Sequence, residues 1–141
     1  MTHFQQLFDL IGQLARRRHQ AAERQFASLG LNHTEARLLG LLHHREAVAQ
    51  DALAAQLPID RSNAARALQN LEAGGYLTRS QDERDKRAKL VRLTAKGNKA
   101  VTAIGKLRGQ MAQEFFGDLQ EDEARRVVEM LRKALPEEGR P

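Results

Sequence analysis

The chain has 141 residues, with 23 Lys/Arg and 18 Asp/Glu, a net charge of +5 and an isoelectric point of about 10.1. This length suits one domain with a modest core, and the absence of Cys excludes disulfides, thiolate metal ligands and cysteine redox sensing. No apolar run approaches the roughly 20 residues of a membrane span. The basic cluster at residues 16–18 follows the first apolar segment, the reverse of a secretory signal. We therefore expect a cytoplasmic protein with no membrane partner.

Positive charge is concentrated in the middle third of the chain. Residues 61–108 contain twelve Lys/Arg and four Asp/Glu, a net charge of +8, which leaves −3 for the remainder. This asymmetry favours a surface that faces a polyanion. A solvated basic face without a partner is the alternative that charge alone leaves open.

The spacing of apolar residues predicts a mainly α-helical fold with one small β-hairpin. The first helix is expected over residues 4–29, where apolar side chains recur every three or four positions. A second helix is expected to begin at Asn32, because Glu35, three residues later, completes an arrangement close to a capping box. Its apolar stripe continues through the leucines of residues 38–42.

A helix-turn-helix is predicted next. A short helix over 50–57 ends before Pro58, because proline cannot continue a helix. Asp60 is well suited to cap a helix over 61–73, which a pair of glycines closes. Two short helices joined by a tight turn form this supersecondary motif.

The rest of the chain predicts a hairpin followed by two helices. Strands are expected at 76–80 and 89–93, on either side of a highly charged tip. Thr94 can cap a long helix over 95–116, whose apolar residues follow a nearly heptad spacing. A last helix is expected at 120–135.

The 61–73 helix has one apolar face and one polar face. Its small and aliphatic residues follow the spacing of a buried stripe, whereas the other face has no carboxylate before Glu72. Side chains on that polar face are of the types that hydrogen-bond base edges in a DNA major groove or contact phosphate. They are Arg61, Ser62, Asn63, Arg66, Gln69 and Asn70. An exposed polar face without a partner is the alternative.

The hairpin tip carries Arg84, Lys86 and Arg87, with Lys89 at its base. A basic hairpin beside a helix-turn-helix can place Arg or Lys in the adjacent minor groove. Lys89 is better suited to contact phosphate. Asp85 is expected to orient the tip by hydrogen bonding to, or pairing with, a nearby arginine. The alternative is a solvated, flexible hairpin.

The order of these elements resembles the MarR family of winged helix-turn-helix transcriptional regulators. The resemblance covers essentially the whole chain and is densest from Leu53 to Gly97, and LNHTEARLL at 31–39 also carries it. Its most specific part is Asp85-Lys86-Arg87 followed by alternating apolar residues and LTAKG at 93–97. By this resemblance Arg87 is the wing arginine that enters the minor groove, and Asp85 holds it.

The resemblance implies a homodimer that binds double-stranded DNA in a sequence-specific way. Residues 1–30 and 94–141 would form dimerisation helices, and residues 31–93 the winged DNA-binding region. The implied function is regulation of transcription, as a repressor of a pseudo-palindromic operator released by a small phenolic or anionic effector. A non-specific architectural DNA-binding protein and a winged-helix protein-interaction module are the alternative functions.

The distribution of aromatic residues supports dimerisation independently. Five of the six aromatic residues are phenylalanines in the predicted terminal helices, and large apolar side chains dominate interface energetics. They are Phe4, Phe8, Phe26, Phe115 and Phe116. The alternative is that these side chains form the core of a monomer.

The resemblance also implies a small-molecule cleft between the dimerisation helices and the winged region. The candidate lining residues are Phe8, Ile11, Ala15, Arg18, His19, Leu38, Leu42 and His43. Ordinary core packing is the alternative for each of them.

The five histidines do not predict a metal site, because no two of them stand four residues apart on a helix. The sequence has no glycine-rich phosphate loop and no nucleophile elbow. We therefore expect no metal, no cofactor and no enzymatic activity.

Overall fold

Helices account for most of the chain in the computed structural model, which describes residues 1–137. The described residues form six helices and a three-stranded antiparallel sheet. In chain order these are α1 (His3–Ala27), α2 (His33–Leu41), β1 (Val48–Ala49), α3 (Gln50–Ala55), α4 (Arg61–Ala73), β2 (Leu77–Gln81), β3 (Lys89–Leu93), α5 (Ala95–Phe115) and α6 (Glu121–Arg132). The predicted mainly α-helical fold with a small β-hairpin is confirmed. Residues 138–141, at the end of the predicted region 94–141, lie outside the described residues.

Side-chain caps set the helix starts where the sequence predicts them. The Asn32 side chain accepts a hydrogen bond from the Glu35 backbone N–H at 2.8 Å, and the Glu35 carboxylate accepts one from the Asn32 N–H at 2.9 Å. Asp60 accepts the Asn63 N–H at 2.7 Å. Thr94 accepts the Gly97 N–H at 3.1 Å. These bonds satisfy backbone donors that a helix leaves unpaired at its first turn.

The sheet has one strand more than the sequence predicts. The strand order is β1-β3-β2, and the predicted hairpin pairs Leu77 with Leu93 and Gln81 with Lys89. β1 adds to the other side of β3, with Val48 opposite Val91. A strand of only two residues has no alternation to recognise, so its existence depends on the pairing with β3.

The core lies beneath the helix-turn-helix and the sheet. Its largest fully buried side chains are Leu38, Leu39, Leu42, Leu53, Leu68, Leu71, Leu77 and Val91. From the long terminal helices, Ala22 and Phe26 of α1 and Val101 and Ile104 of α5 join this cluster. The core therefore fixes the orientation of α4 and of the hairpin relative to each other.

The far ends of the terminal helices are not covered. Phe4 and Phe8 of α1 are 86% and 81% exposed, and no residue of α6 is buried. Of the five phenylalanines, Phe26 is the one in the core cluster. Within residues 1–137, no helix combines the length and the apolar character that crossing a bilayer requires.

The first turn of α5 packs tightly on the turn between α4 and β2. The Lys96 ammonium donates a hydrogen bond to the Gly74 carbonyl at 2.6 Å and lies 4.4 Å from the centre of the Tyr76 ring. Gly97 is buried, and a Cβ atom on it would lie 2.0 Å from the Tyr76 carbonyl oxygen. Only glycine fits there, which explains the last residue of the LTAKG segment.

Candidate nucleic-acid interface

Helix α4 turns its apolar face into the core and its polar face to solvent. Ala64, Ala67, Leu68 and Leu71 are buried, as their spacing predicts. The six residues predicted to contact DNA from this helix, Arg61, Ser62, Asn63, Arg66, Gln69 and Asn70, are all exposed. The polar face is thus presented as a continuous outer surface of the helix-turn-helix.

Two aspartates engage the first turn of this face. The Asn63 side-chain amide donates to Asp60 at 3.1 Å, and Arg61 pairs with Asp51 of α3 at 3.2 Å. The Arg61 and Asp51 side chains are 82% and 79% exposed. An ion pair this exposed is worth about 0–1 kcal/mol, so Arg61 can exchange Asp51 for another anion at little cost.

The middle of the polar face carries no internal contacts. Within residues 1–137, the side chains of Ser62, Arg66, Gln69 and Asn70 form no hydrogen bond or ion pair with the protein. These groups are therefore available to an outside partner, and their chemistry suits base edges and phosphate oxygens.

The wing is the hairpin of β2 and β3, with its tip at residues 82–88, and its own side chains shape that tip. The Asp82 carboxylate accepts a hydrogen bond from the Arg84 backbone N–H at 2.9 Å, and Asp85 accepts one from the Arg87 backbone N–H at 3.1 Å. The contact predicted for Asp85 is thus a backbone hydrogen bond and not a pairing with the guanidinium. Such bonds give a turn a defined shape. They leave the arginine head groups of the tip directed to solvent.

The cationic side chains of the wing lie exposed beside the helix-turn-helix. Arg84, Lys86, Arg87 and Lys89 are all exposed. Arg87 and Lys89 line a surface depression together with residues 49–51 at the start of α3. Asp51 in that depression also pairs with Arg61, so the wing arginine lies near the start of α4.

Arg79 belongs to the basic middle third of the chain but not to its exposed cationic surface. It counts toward the positive middle third, yet its side chain is only 13% exposed. Its guanidinium donates to Glu72 at 3.0 and 3.3 Å and to Gln50 at 3.3 Å, and its backbone N–H donates to Glu72 at 3.1 Å. The hydrogen bond from the Arg79 side chain lowers the pKa of Glu72. Arg79 thus joins α4, β2 and α3. It stands two residues after buried Leu77 in β2, so the two side chains lie on the same face of the sheet, and this spacing was visible in the sequence.

The residues of the predicted ligand cleft lie in several different places. Leu38 and Leu42 are fully buried in the core, Phe8 and Ile11 are exposed on α1, and His43 is exposed in the turn after α2. A cavity of about 160 Å³ does lie between α1, α2 and α5. It is lined by Arg18, Ala21, Ala22, Phe26, His33, Arg108, Met111, Ala112, Phe115 and Phe116. Of the eight predicted residues, only Arg18 belongs to it, because the sequence does not show which part of α5 faces α1.

A group of three titratable residues was missed from the sequence. His19 and Glu23 of α1 approach His33 at the start of α2, with the two imidazole Nδ1 atoms 3.3 Å apart. Glu23 also accepts the His33 backbone N–H at 3.3 Å. Burial lowers the pKa of His33, and the neighbouring His19 adds to this effect. His19 and Glu23 stand four residues apart, a spacing that places both side chains on one face of a helix and was visible in the sequence. The positions of the histidines alone do not show it.

Comparisons with known proteins agree with this architecture. A sequence model described as "MarR family" matches residues 29–88. The chain is 31% identical over 105 residues to YkoM of Bacillus subtilis, an uncharacterised HTH-type transcriptional regulator, covering 74% of this chain and 68% of YkoM. YdgJ of the same organism, also named an HTH-type transcriptional regulator, is 29% identical over 105 residues, which span 74% of this chain but only 64% of YdgJ.

A solved structure extends the likeness to the terminal helices. The complex of MepR from S. aureus with DNA superposes with a TM-score of 0.76 at 25% identity, covering 95% of this chain and 97% of that chain. The relatives are named as transcriptional regulators, the class that the sequence predicts. With its α4 helix, its wing and its terminal helices in this arrangement, the chain belongs to the MarR family of winged helix-turn-helix transcriptional regulators.

Proposed function

We propose that this chain binds specific duplex DNA as a homodimer and represses transcription until a small ligand releases it. The observation that carries the proposal is the placement of two exposed polar surfaces side by side. The α4 face has unengaged hydrogen-bonding side chains, and the wing next to it presents exposed Arg and Lys. The complex of the related MepR with DNA supports the same role for this chain.

The two surfaces have different tasks in the proposed complex. Arg66, at the centre of the α4 face, can donate two hydrogen bonds to guanine in the major groove, and Gln69 or Asn70 can pair with adenine. Arg87 at the wing tip enters the adjacent minor groove, whose narrow A·T-rich stretches attract cations. Lys89 contacts phosphate, which contributes affinity but no sequence information.

The exposed apolar residues of α1 and α6 support a homodimer. Phe4 and Phe8 are almost fully exposed, and Val128 and Met130 of α6 are 47% and 58% exposed. Phe4 and Phe8 stand one turn apart on the same face of α1, and exposed apolar patches of this kind mark interaction surfaces. A two-fold dimer that places two α4 helices about 34–36 Å apart reads two half-sites one turn of DNA apart. The operator would then be a pseudo-palindrome.

The cavity between α1, α2 and α5 is the proposed effector site. Arg18 and Arg108 supply positive charge at a lining that is otherwise largely apolar. This chemistry fits a small aromatic or aliphatic anion. Because the cavity joins a dimerisation helix to the winged region, ligand binding can change the spacing of the two α4 helices.

Selection of bound duplexes from a random DNA pool, followed by fluorescence anisotropy at fixed salt, tests the proposal. We expect the wild-type chain to select an inverted repeat, and Arg87→Ala to weaken binding to it by about 1–3 kcal/mol. Arg66→Ala should relax base preference at one position in each half-site. Selection of no sequence over bulk DNA would instead indicate an architectural protein, and failure to bind any duplex would indicate a protein-interaction module.

Arg45→Ala provides a matched control for these arginine substitutions. Arg45 is exposed and precedes β1, which pairs with β3 so that Val48 faces Val91. Since β1 and β3 are antiparallel, Arg45 lies toward the end of β3 that is remote from the wing tip. Its removal should leave both affinity and base preference unchanged.

A further inference from the structure

His19, Glu23 and His33 bring three metal-ligating groups together on two helices. One ligand atom from each residue lies within 4.8 Å of the others. His19 and Glu23 are one turn apart on α1, with His19 Nε2 4.0 Å from Glu23 Oε1. His33 enters from the first position of α2, beside the capping residue Asn32.

The separation of the two imidazoles matches a tetrahedral metal centre. Zinc–nitrogen bonds of about 2.0–2.1 Å at the tetrahedral angle place two ligand nitrogens about 3.3 Å apart. The Nδ1 atoms of His19 and His33 are 3.3 Å apart. The Glu23 carboxylate is oriented by the hydrogen bond that it accepts from the His33 backbone, and a carboxylate has lone pairs left for a metal.

The donor set selects the class of metal. Two imidazoles and one carboxylate suit Zn²⁺ and neighbouring divalent transition metals, whereas Mg²⁺ and Ca²⁺ prefer sites made of oxygen ligands. The His19 and Glu23 side chains are 64% and 45% exposed, so a water molecule can complete the coordination. We propose that His19, Glu23 and His33 form a Zn²⁺ site that joins α1 to α2.

Protonation and charge around the three residues are consistent with such a site. An imidazole binds metal in its neutral form, and burial, with smaller contributions from His19, Arg37 and Arg18, lowers the pKa of His33. Glu23 acts in the opposite direction on His33. The two arginines repel a cation, so the site should bind Zn²⁺ less tightly than a closed four-ligand structural site does.

The site has a structural consequence that does not depend on DNA binding. α1 contributes two of the three ligands and α2 the third, so a bound ion fixes the junction between the long terminal helix and the winged region. His33 also lines the cavity between α1, α2 and α5. Zn²⁺ binding should therefore raise the melting temperature of the chain, because the ion binds the folded state, in which the three ligands are held together, more tightly than the unfolded chain.

Isothermal titration of the untagged, full-length chain with ZnCl₂ tests the proposal directly. We expect one Zn²⁺ per chain, and at least about a 100-fold loss of affinity in His19→Ala and in His33→Ala, since even partners of ligands contribute about 10–100-fold. Glu23→Gln should weaken binding by at least about tenfold. The double variant His43→Ala/His44→Ala removes two exposed histidines outside the proposed site and should bind as the wild type does. Circular dichroism confirms that each variant is folded.

Co²⁺ supplies an independent readout, because four-coordinate Co²⁺ absorbs visible light strongly and six-coordinate Co²⁺ does not. The wild-type chain should give the intense spectrum, and the His19→Ala variant should not. Absence of saturable Zn²⁺ binding to the wild type would overturn the proposal. So would wild-type affinity in His19→Ala, or loss of binding in the His43/His44 double variant, since either would place the metal elsewhere.

Discussion

Substitution of Gly97 by alanine tests how tightly the wing is joined to the terminal helices. A Cβ atom at this position would lie 2.0 Å from the Tyr76 carbonyl oxygen, and 3.0 Å from a methyl carbon of Leu93. The first contact involves backbone, and ordinary van der Waals contact begins at 3.4 Å, so α5 or the turn before β2 must move by at least about 1.4 Å. Overpacking of this kind costs about 1–3 kcal/mol or more. The higher helix propensity of alanine offsets at most about 1 kcal/mol of that cost.

We therefore expect Gly97→Ala to lower the free energy of unfolding by about 2 kcal/mol, and the melting temperature by roughly 6 °C. Urea and thermal unfolding followed by circular dichroism measure both quantities. Gly40→Ala is the matched control, because a Cβ at Gly40 in α2 meets nothing within 4 Å. That variant should be as stable as the wild type or up to about 1 kcal/mol more stable. A Gly97→Ala chain as stable as the wild type would refute the close approach of α5 to Tyr76.

Three further substitutions test separate parts of the structure. The hydrogen bond from Arg79 holds the pKa of Glu72 below its ordinary value of 4.5, so ionised Glu72 stabilises the fold above that pH and ceases to do so as the pH falls through the lowered pKa. Glu72→Gln should thus lower the melting temperature at neutral pH, with the difference from wild type closing in acid; a difference independent of pH would contradict this role. Asp60→Ala should lower the free energy of unfolding, measured in urea, by about 1 kcal/mol, because α4 loses its N-cap, and Asp60→Asn should lower it much less. Equal losses in the two variants would argue against capping by Asp60. Phe8→Ser should shift the chain toward monomer in sedimentation velocity, and an unchanged dimer would exclude Phe8 from the interface.

Short-range sequence signals, such as capping residues and helix-ending glycines, predicted the helix-turn-helix well. The bounds of α4 agree with the predicted range 61–73, because Asp60 marks its start and the paired glycines mark its end. The wing strand over 89–93 is likewise confirmed. In contrast, α6 covers Glu121–Arg132, whereas the sequence predicted a helix over 120–135. The sequence has no strong helix-stop signal before Pro136, so the predicted helix extended too far.

Features that depend on contacts between distant segments were not predicted. β1 exists because Val48 and Ala49 pair with β3, more than 40 residues later in the chain. The cavity beside Arg18 requires knowledge of how α5 crosses α1, which neither helix shows by itself. The approach of His33 to His19 depends on the turn between α1 and α2. In each case the residues were visible in the sequence, but their distance in space was not.

We propose that the α4 face and the wing together bind one half-site of duplex DNA and that a second copy of the chain binds the other. The most direct measurement is the affinity of the purified chain for its selected duplex and for a scrambled duplex of equal length, over a series of salt concentrations. Affinity for both should fall steeply with salt, because phosphate contacts release counterions. The selected duplex should be bound at least about 1,000-fold more tightly, by two chains per duplex. Equal affinity for the two duplexes, or no binding to either in dilute buffer, would contradict sequence-specific DNA binding by this chain.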